Sequence, residues 1–337
     1  MLFRLIMLFS IFPFFVCHSA SLATENTVSA EKKLVSLLPK SEFATVTAVN
    51  WLAKTTMPQV TDKPMSSRDV SYILRKTGFE PSPLEVSQWV GEYRSTLIAN
   101  LIEGLKTDLV NNYPAWIKLE PRYWGQNDWP EGKRNAFRSA RRQEVSELRQ
   151  WWITQMLASK SPLAERMVLF WENTFVAGFS GLDEKSHAQW MHHKTIRNHA
   201  TGNYRELAHS MVKDPAVLIY LDNNRNQKQS PNENLARELF ELFTLGEGNY
   251  SESDIKEAAK ALAGWHVSEF GKISFLENSW ARDFSKKEIF GVRKKFDGEG
   301  LVNLILRHQK ASEFVVRRLW SEFVSLEPMP TEALAHW

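Results

Sequence analysis

The chain has very little cysteine, no long apolar run beyond its N-terminus and almost no net charge. Cys17 is the only cysteine among 337 residues, so a disulfide within the chain is excluded. A formal net charge of +3 gives no reason to expect nucleic acid or an anionic surface as a partner. Stability must therefore come from a hydrophobic core, for which the chain is long enough.

Several common catalytic and metal-binding motifs are also missing. The sequence contains no Gly-x-Ser-x-Gly, Walker, glycine-rich dinucleotide or His-Glu-x-x-His pattern. His192 and His193 are adjacent and should diverge on a helix, and His199 lacks ligand spacing. A calcium-like series from residue 247 has Glu252 where glycine is required and Ala258 where a bidentate Glu belongs. We therefore predict no metal and no cofactor.

The N-terminus resembles a secretory signal. Arg4 precedes an apolar stretch from Leu5 to Val16, and Ser21-Leu22-Ala23 fits a small-x-small cleavage site. We expect residues 1–23 to be removed, which places the mature chain in the periplasm, at the cell surface or in the medium, with no stable membrane span. A retained anchor is the alternative.

The remaining chain is predicted to be mainly α-helical. Residues 24–65 have little periodicity and indicate a loosely ordered leader, 66–324 predict one compact multi-helix array with few or no short strands, and 325–337 form a tail. Ile273, Phe275 and Ile289 lie in a segment that alternates, which favours short strands or extended connectors. The 13 Trp and 20 Phe residues are expected mostly to fill the core.

Residues 231–265 carry the strongest local signal, two capped helices joined by a polar turn. Asn232 is a suitable N-cap for the first helix, and Gly246 ends it where a left-handed residue is favoured. Ser251 and Asp254 have capping-box spacing for the second helix. At about 100° per residue the first helix has one apolar side, made of Leu235, Ala236, Leu239, Phe240, Leu242 and Phe243.

These residues resemble the signature of the bacterial domain-of-unknown-function 1800 family. The resemblance rests on Asn232-Glu233-Asn234, Ala236 to Leu239, Glu241-Leu242, Thr244 to Gly246, Tyr250 and Gly264-Trp265, with further similar segments at 69–83, 166–175, 198–223 and 311–324. The family has no established activity, so the resemblance implies a helical exported protein and no reaction. Its members usually extend further, which suggests a C-terminally short member or an incomplete reading frame.

Two departures from the family pattern concern histidines. Members tend to have Trp-His-Asn-His-Phe where this chain has Trp171-Glu172-Asn173-Thr174-Phe175, and His-Asp where it has Arg282-Asp283. A role for those histidines in relatives cannot be transferred to Glu172, Thr174 or Arg282.

Glu172 and Glu238 are the candidate catalytic residues. Ser161-Pro162 opens a helix that is apolar nearly all round, which puts Glu172 in an apolar setting where its pKa could rise. The alternative is a structural ion pair with Arg or Lys. Glu238 could point into a cleft against Glu172 or against the polar turn at 222–226, and a pair with Glu172 would resemble the carboxylates of glycoside hydrolases. The alternative is that Glu238 lies on a solvated face of the helix.

The candidate binding residues gather around a polar turn at 222–226 and the signature helix. Short amides and carboxylates there could bind sugar hydroxyls or a peptide backbone, but they could equally cap helix ends. Glu233, Arg237 and Glu241 have the spacing of surface ion pairs. The set comprises Asp222, Asn223, Asn224, Asn232, Glu233, Asn234, Arg237, Glu241 and Trp265.

Two functions follow as expectations. The first is binding or assembly of an envelope or extracellular polymer, either polysaccharide or peptide, through the polar turn and exposed aromatic residues. The second is a carboxylate-dependent hydrolase of the cell envelope. The absence of a complete catalytic constellation favours binding.

Overall fold

A computed structural model of the protein describes residues 62–105, 113–119, 121–126, 128–270 and 272–334. The predicted signal peptide, and the predicted leader up to residue 61, lie outside the described residues. The chain divides into two compact units, with the boundary between Leu105 and Lys106. The predicted domain bounds remain a prediction.

The first unit contains three short helices, two of which begin with a capping box. They are α1 (Ser67–Thr77), α2 (Pro83–Trp89) and α3 (Arg94–Glu103). Ser66 forms a capping box with Asp69 and Ser82 forms one with Glu85, so backbone N–H groups at both helix starts are satisfied by neighbouring side chains. Val70 and Leu97 are fully buried and hold α1 against α3.

The second unit contains the remaining helices. They are α4 (Glu131–Ala158), α5 (Pro162–Glu172), α6 (Ser186–His199), α7 (Tyr204–Met211), α8 (Pro215–Tyr220), α9 (Asn234–Glu238), α10 (Glu252–Leu262), α11 (Gly298–Ile305), α12 (Gln309–Phe323) and α13 (Thr331–Leu334), with short 3₁₀ turns at Ala115–Lys118, Phe179–Gly181 and Asn223–Arg225. The mainly α prediction is confirmed. Within the described ranges, no helix is both long and apolar enough to cross a membrane.

Two small antiparallel hairpins interrupt the helices. The first pairs β1 (Trp265–Ser268) with β2 (Ser274–Glu277), and the second pairs β3 (Lys287–Ile289) with β4 (Val292–Lys294). Phe275 lies in β2 and Ile289 in β3, as the alternating pattern indicates.

The signature helix differs from a regular α-helix. It begins at Asn234 rather than directly after Asn232, whose Oδ1 accepts from the Asn234 N–H at 2.9 Å. After α9 the chain continues as a π-helix over Leu239–Thr244. The Phe243 carbonyl accepts a hydrogen bond from the Tyr204 hydroxyl, and the Thr244 hydroxyl donates to the Leu239 carbonyl at 2.5 Å. The two hydroxyls thus provide hydrogen-bond donors for backbone carbonyls of the π-helix.

The ends of the signature segment follow the sequence signals. Gly246 has φ +80°, the left-handed conformation expected at its helix end. Ser251 and Asp254 form a capping box at the start of α10. The apolar side is buried as predicted except at Leu242, which is 46% exposed.

Candidate functional site

Glu172 lies at the C-terminal end of α5, where it is hydrogen-bonded to His193 of α6 and lies near the adjacent His192. Its Oε1 is 2.9 Å from His193 Nδ1, and its Oε2 is 3.9 Å from His192 Nε2. The two rings diverge on the helix, yet they reach different oxygens of one carboxylate. The Glu172 side chain is only 15% exposed. The sequence predicted an apolar setting for Glu172, with an ion pair to Arg or Lys as the alternative, whereas in the structure its carboxylate faces His192 and His193.

His192 connects this carboxylate to the start of α8. Its Nδ1 donates to Asp214 Oδ1 at 3.1 Å, and the Thr195 hydroxyl donates to Asp214 Oδ2 at 3.1 Å. Asp214 also accepts from the backbone N–H groups of Ala216 and Val217, which cap α8. One buried aspartate therefore fixes both the ring of His192 and the direction of α8.

His193 continues the network to a buried ion pair. Arg197 binds Glu165 through two hydrogen bonds of 2.7 and 2.6 Å, and both side chains are almost fully buried. The Arg197 Nε–H lies 3.4 Å from His193 Nε2. Because a guanidinium can only donate, His193 accepts at Nε2 and donates from Nδ1 to Glu172.

The electrostatics of this buried network favour a charged Glu172 and a charged His192. Burial disfavours both ions, but the bond from His193 and the nearby positive groups hold the pKa of Glu172 below its usual range. Burial is likewise outweighed at His192 by Asp214 and Glu172, which raise the pKa of its ring. A carboxylate kept ionised in this way is unsuited to donating a proton as a general acid.

The other two positions that depart from the family pattern are also bonded internally. The buried Thr174 hydroxyl donates to the Phe170 carbonyl at 2.9 Å and accepts from Arg318 at 3.1 Å. Arg282 pairs with Glu277 at 2.5 Å. Both side chains therefore hold neighbouring elements together.

Glu238, the second candidate catalytic residue, has different neighbours from Glu172. Its Oε2 is buried and, within the described part of the chain, has no hydrogen-bond partner. Burial and the charge of Glu241, one turn further on, raise the pKa of Glu238. Glu241 itself accepts from the Tyr250 hydroxyl at 2.9 Å. The carboxylates that influence each other here are Glu238 and Glu241, rather than Glu238 and Glu172.

The predicted ion-pair series on the signature helix forms only in part. Arg237 binds Glu233 at 3.3 Å, but its main partner is Glu252 of α10, which accepts two hydrogen bonds of 2.8 Å. Arg237 thus ties the signature helix to α10. Asn234 begins the helix and is exposed.

The polar turn between α8 and α9 supports β1. Asn223 is buried and its amide donates to the Trp265 carbonyl at 2.7 Å, while Asn224 Oδ1 accepts from the Val267 N–H at 2.7 Å. Asn232 donates to the Asp222 carbonyl at 3.4 Å, and Asp222 adopts a left-handed conformation with φ +55°. These amides bond to backbone, the capping alternative that the sequence left open.

Trp265 is buried, although its signature position made it a candidate ligand contact. Its indole lies against Gly298, where an added Cβ would come within 2.2 Å of the ring. The ring also meets Phe275 edge to face at 5.4 Å. Trp265 therefore fixes the inner face of the first hairpin.

The first hairpin presents aromatic residues that the sequence did not single out. We define the hairpin surface as Phe270, Leu276, Trp280 and Phe284, together with Trp124, which stacks on Phe270 at 4.9 Å and 11°. Phe270 is 79% exposed and Trp280 is 86% exposed. The sequence offers one signal for these exposed residues. Phe270, Trp280 and Phe284 lie in polar connecting segments rather than in the strands themselves, where large apolar side chains are more often exposed.

Across the described ranges, no three His, Cys, Asp or Glu side chains are placed to hold one metal ion. The absence of a metal and of a cofactor stays a prediction.

Comparison with known proteins gives one match. Residues 72–336 match the family described as protein of unknown function (DUF1800). Neither a curated protein nor a solved structure matches the chain. The match includes the α5 run, the signature helix and the hairpin surface.

Proposed function

We propose that the protein binds a polymer of the cell envelope or extracellular space. The chain belongs to a family of unknown function, so family membership does not indicate an activity. The binding region is the hairpin surface. The N-terminal pattern supports export to the periplasm, the cell surface or the medium.

The observation that carries this proposal is the exposure of several aromatic and apolar side chains in the first hairpin and the segment that follows it. Phe270, Trp280 and Phe284 flank β2, and Leu276 lies within it, all with much of their side chains open to solvent. Leaving such groups in water gives up the stabilisation that burial would provide. Exposed apolar groups that are grouped together mark interaction sites.

The base of the hairpin is suited to holding these rings in place. Asn223 and Asn224 bond the backbone of β1, Asn226 accepts from the Gly264 N–H at 3.1 Å, and the Lys228 N–H donates to the Ala281 carbonyl at 2.9 Å. The segment that carries Trp280 is therefore fastened to the polar turn. A rigid support lowers the entropy lost when a ligand binds.

Binding can be tested by retardation of the protein in native gels that contain a soluble envelope or extracellular polymer. The double variant Phe270→Ser/Trp280→Ser should lose retardation while keeping the melting temperature of the wild type. Leu157→Ser is the matched control, because Leu157 is equally exposed but lies about 30 Å along α4 from Phe137, which packs near the hairpin. Equal retardation of all three proteins would refute the proposal.

A hydrolase remains a second candidate, supported by the Glu238–Glu241 pair. The raised pKa of Glu238 and its unpartnered Oε2 are properties of a general acid, and Glu241 supplies a second carboxylate. Release of reducing ends or free peptides by the wild type, abolished in Glu238→Gln, would support this candidate. Retardation without release would favour binding alone.

Export can be tested by mass spectrometry of the protein from fractionated cells. We expect a mature N-terminus near Thr24 in the envelope or medium. An intact Met1 in the cytoplasmic fraction would contradict export.

A further inference from the structure

The two hairpins have four outer strand edges, and the polar turn closes the one that belongs to β1. The Val267 N–H donates to Asn224 at 2.7 Å, and the Trp265 carbonyl accepts from Asn223 at 2.7 Å. A strand that adds to an edge needs such backbone groups free. This edge is therefore already paired within the chain.

The edges of the second hairpin are covered or charged. The outer side of β3 lies against α10, where Glu257 accepts a hydrogen bond of 3.4 Å from the Glu288 N–H. β4 is open to solvent but carries Arg293 and Lys294, and charged side chains on an edge strand oppose the addition of another strand. Among the strands of the described chain, β2 has the edge that remains.

The register of the first hairpin decides which backbone groups of β2 point outward. The Asn278 N–H donates to the Gly264 carbonyl at 2.7 Å, so these two residues form a hydrogen-bonded pair just beyond the strands. Such pairs alternate along an antiparallel ladder, which leaves Phe275 and Glu277 as the residues of β2 that do not bond to β1. The residues opposite them in β1 are the two whose backbone groups bond to the polar turn, as this alternation requires.

The outward backbone groups of β2 have no hydrogen-bond partner within the described part of the chain. This holds for the N–H and the carbonyl of both Phe275 and Glu277. Leu276 is 47% exposed and Ser274 is also exposed, so solvent reaches the strand. Glu277 is the only charged residue of β2, and Arg282 neutralises it at 2.5 Å, so this edge lacks the charge that guards β4. An unpaired edge of this kind is a template for a further strand.

The charges beside β2 favour an acidic partner. Lys272 precedes the strand, is exposed and has no acidic partner among the described residues. The same holds for Arg122, whose guanidinium lies over the ring of Trp124, and Trp124 stacks on Phe270 in the hairpin turn. Two cations at one end of the hairpin are thus left to meet carboxylates of a partner, which would orient it on the edge.

The open edge of β2 identifies the kind of polymer by its backbone. An extended polypeptide repeats complementary carbonyl and N–H groups at the spacing of the outward groups of β2, which is the basis of recognition by strand addition. We infer that the polymer is a polypeptide with an extended acidic segment, which adds to the outer edge of β2 as a third strand. This inference rests on the proposed function and specifies its ligand.

The test measures calorimetric affinity of the full chain for three probes. They are reduced carboxymethylated α-lactalbumin as an acidic unfolded polypeptide, gelatin as a polypeptide whose Pro and Gly residues disfavour strands, and xylan as a polysaccharide. The lactalbumin should bind more tightly than the other two. Glu277→Pro should bind it about tenfold more weakly than Glu277→Ala, because both variants lose the Arg282 ion pair and only proline removes the outward N–H.

Hydrogen–deuterium exchange tests the same inference without a substitution, which matters if Glu277→Pro lowers the melting temperature. Bound lactalbumin should slow amide exchange in residues 272–278. Exchange in residues 292–294, the charged edge of the second hairpin, should stay as in the free protein. Equal exchange of residues 272–278 in the free and bound protein would overturn strand addition.

The outcomes separate this inference from the proposed function. Binding of xylan without binding of the lactalbumin would overturn the polypeptide assignment and leave polymer binding intact. Lactalbumin binding that is lost in Phe270→Ser/Trp280→Ser but is equal in Glu277→Pro and Glu277→Ala would do the same. A dimer in sedimentation that Glu277→Pro dissociates would assign the edge to a second copy of this chain and overturn the inference. Binding of none of the probes would overturn both proposals.

Discussion

The α5–α6 network and the hairpin surface depart from the usual distribution of residues in opposite ways. At α5 and α6, the charged groups Glu165, Glu172 and Arg197 are withdrawn from water. On the hairpin, Phe270 and Trp280 are exposed to it. Charged residues are almost never buried without partners, and large apolar patches are seldom exposed without a reason.

The two regions differ in whether their unusual side chains have bonding partners within the chain. Glu165 has both oxygens bonded to Arg197, and Glu172 contacts two histidines. The free face of Trp280 has no comparable partner among the described residues of the chain. A buried charged side chain that is bonded within the fold has a structural role. An exposed aromatic side chain without such contacts is instead a candidate contact for a ligand. For this reason we propose the hairpin surface, rather than Glu172, as the binding region.

The largest effect should come from breaking the buried ion pair. Arg197→Ala should lower the free energy of unfolding by about 3–5 kcal/mol, because Glu165 would remain as an uncompensated buried charge. Chemical denaturation with circular dichroism measures this change. Arg142→Ala is the control, since the exposed Arg142–Glu184 pair should contribute less than about 1 kcal/mol. Similar losses in both variants would show that the buried network has no special structural role.

The π-helical segment contains one buried leucine and one exposed leucine, which can be compared directly. Leu239 is fully buried and Leu242 is 46% exposed. Leu239→Ala should cost about 2–5 kcal/mol through lost burial and a cavity, whereas Leu242→Ala should cost less than about 1 kcal/mol. Thermal melts of the two variants would distinguish them. Equal costs would contradict the direction in which the π-helix turns its side chains.

The charge of His192 should make stability depend on pH. Its folded-state pKa is raised above 6.5, so its stabilising contribution is fully present below that value and is lost as pH rises through the folded-state pKa. Glu172 has a folded-state pKa below 4.5, so its contribution is present above that value and is lost as pH falls further. Together, the two groups stabilise the fold most between 4.5 and 6.5.

The effect of His192 must be measured as the difference in the free energy of unfolding between the wild type and a His192 variant, because other histidines also titrate. Burial lowers the pKa of His187, His209 and His266, so these groups contribute to stability in the opposite sense, with more stabilisation as pH rises. The free energy of unfolding of wild type minus that of His192→Gln should therefore shrink from pH 6 to pH 9. A difference that grows over this range would show that His192 is neutral in the folded protein.

The smallest effect is expected at Glu238. Because its pKa is raised, ionisation of Glu238 opposes folding as pH rises above 4.5. Glu238→Gln should change stability by less than about 0.5 kcal/mol near pH 4 and should gain relative to wild type at pH 7. Glu172→Gln should instead destabilise at pH 7, since the lowered pKa of Glu172 means that its ionised form stabilises the fold at that pH. Parallel melts at both pH values test the contrast.

The local signals in the sequence predicted much of this fold. Ser251 and Asp254 mark the start of α10, Gly246 marks a left-handed helix end, and the buried positions from Leu235 to Phe243 follow a helical stripe. Each of these depends on residues within a few positions of one another. Such patterns are visible without knowledge of the tertiary structure.

Features that depend on distant residues were missed. The π-helix uses Tyr204, and the partner of Glu165 is Arg197, which lies 32 residues away. In the same way, Arg138 and Arg142 of α4 form ion pairs with Glu184, more than 40 positions later in the sequence. The binding role of the polar turn could not be judged either, since its amides meet β1 more than 40 positions later in the sequence.

The three capping boxes also bear on the order of folding. At Ser66–Asp69, Ser82–Glu85 and Ser251–Asp254, the groups that define a helix start lie within four consecutive residues. Those starts need nothing from the rest of the chain and can form as the segment leaves the ribosome. α5 and α6 have no side-chain bond at their N-caps. The first turn of α6 is instead held by distant residues, since the Ser186 hydroxyl donates to Glu144 and the His187 N–H donates to the Tyr123 hydroxyl, so it must wait for those tertiary contacts.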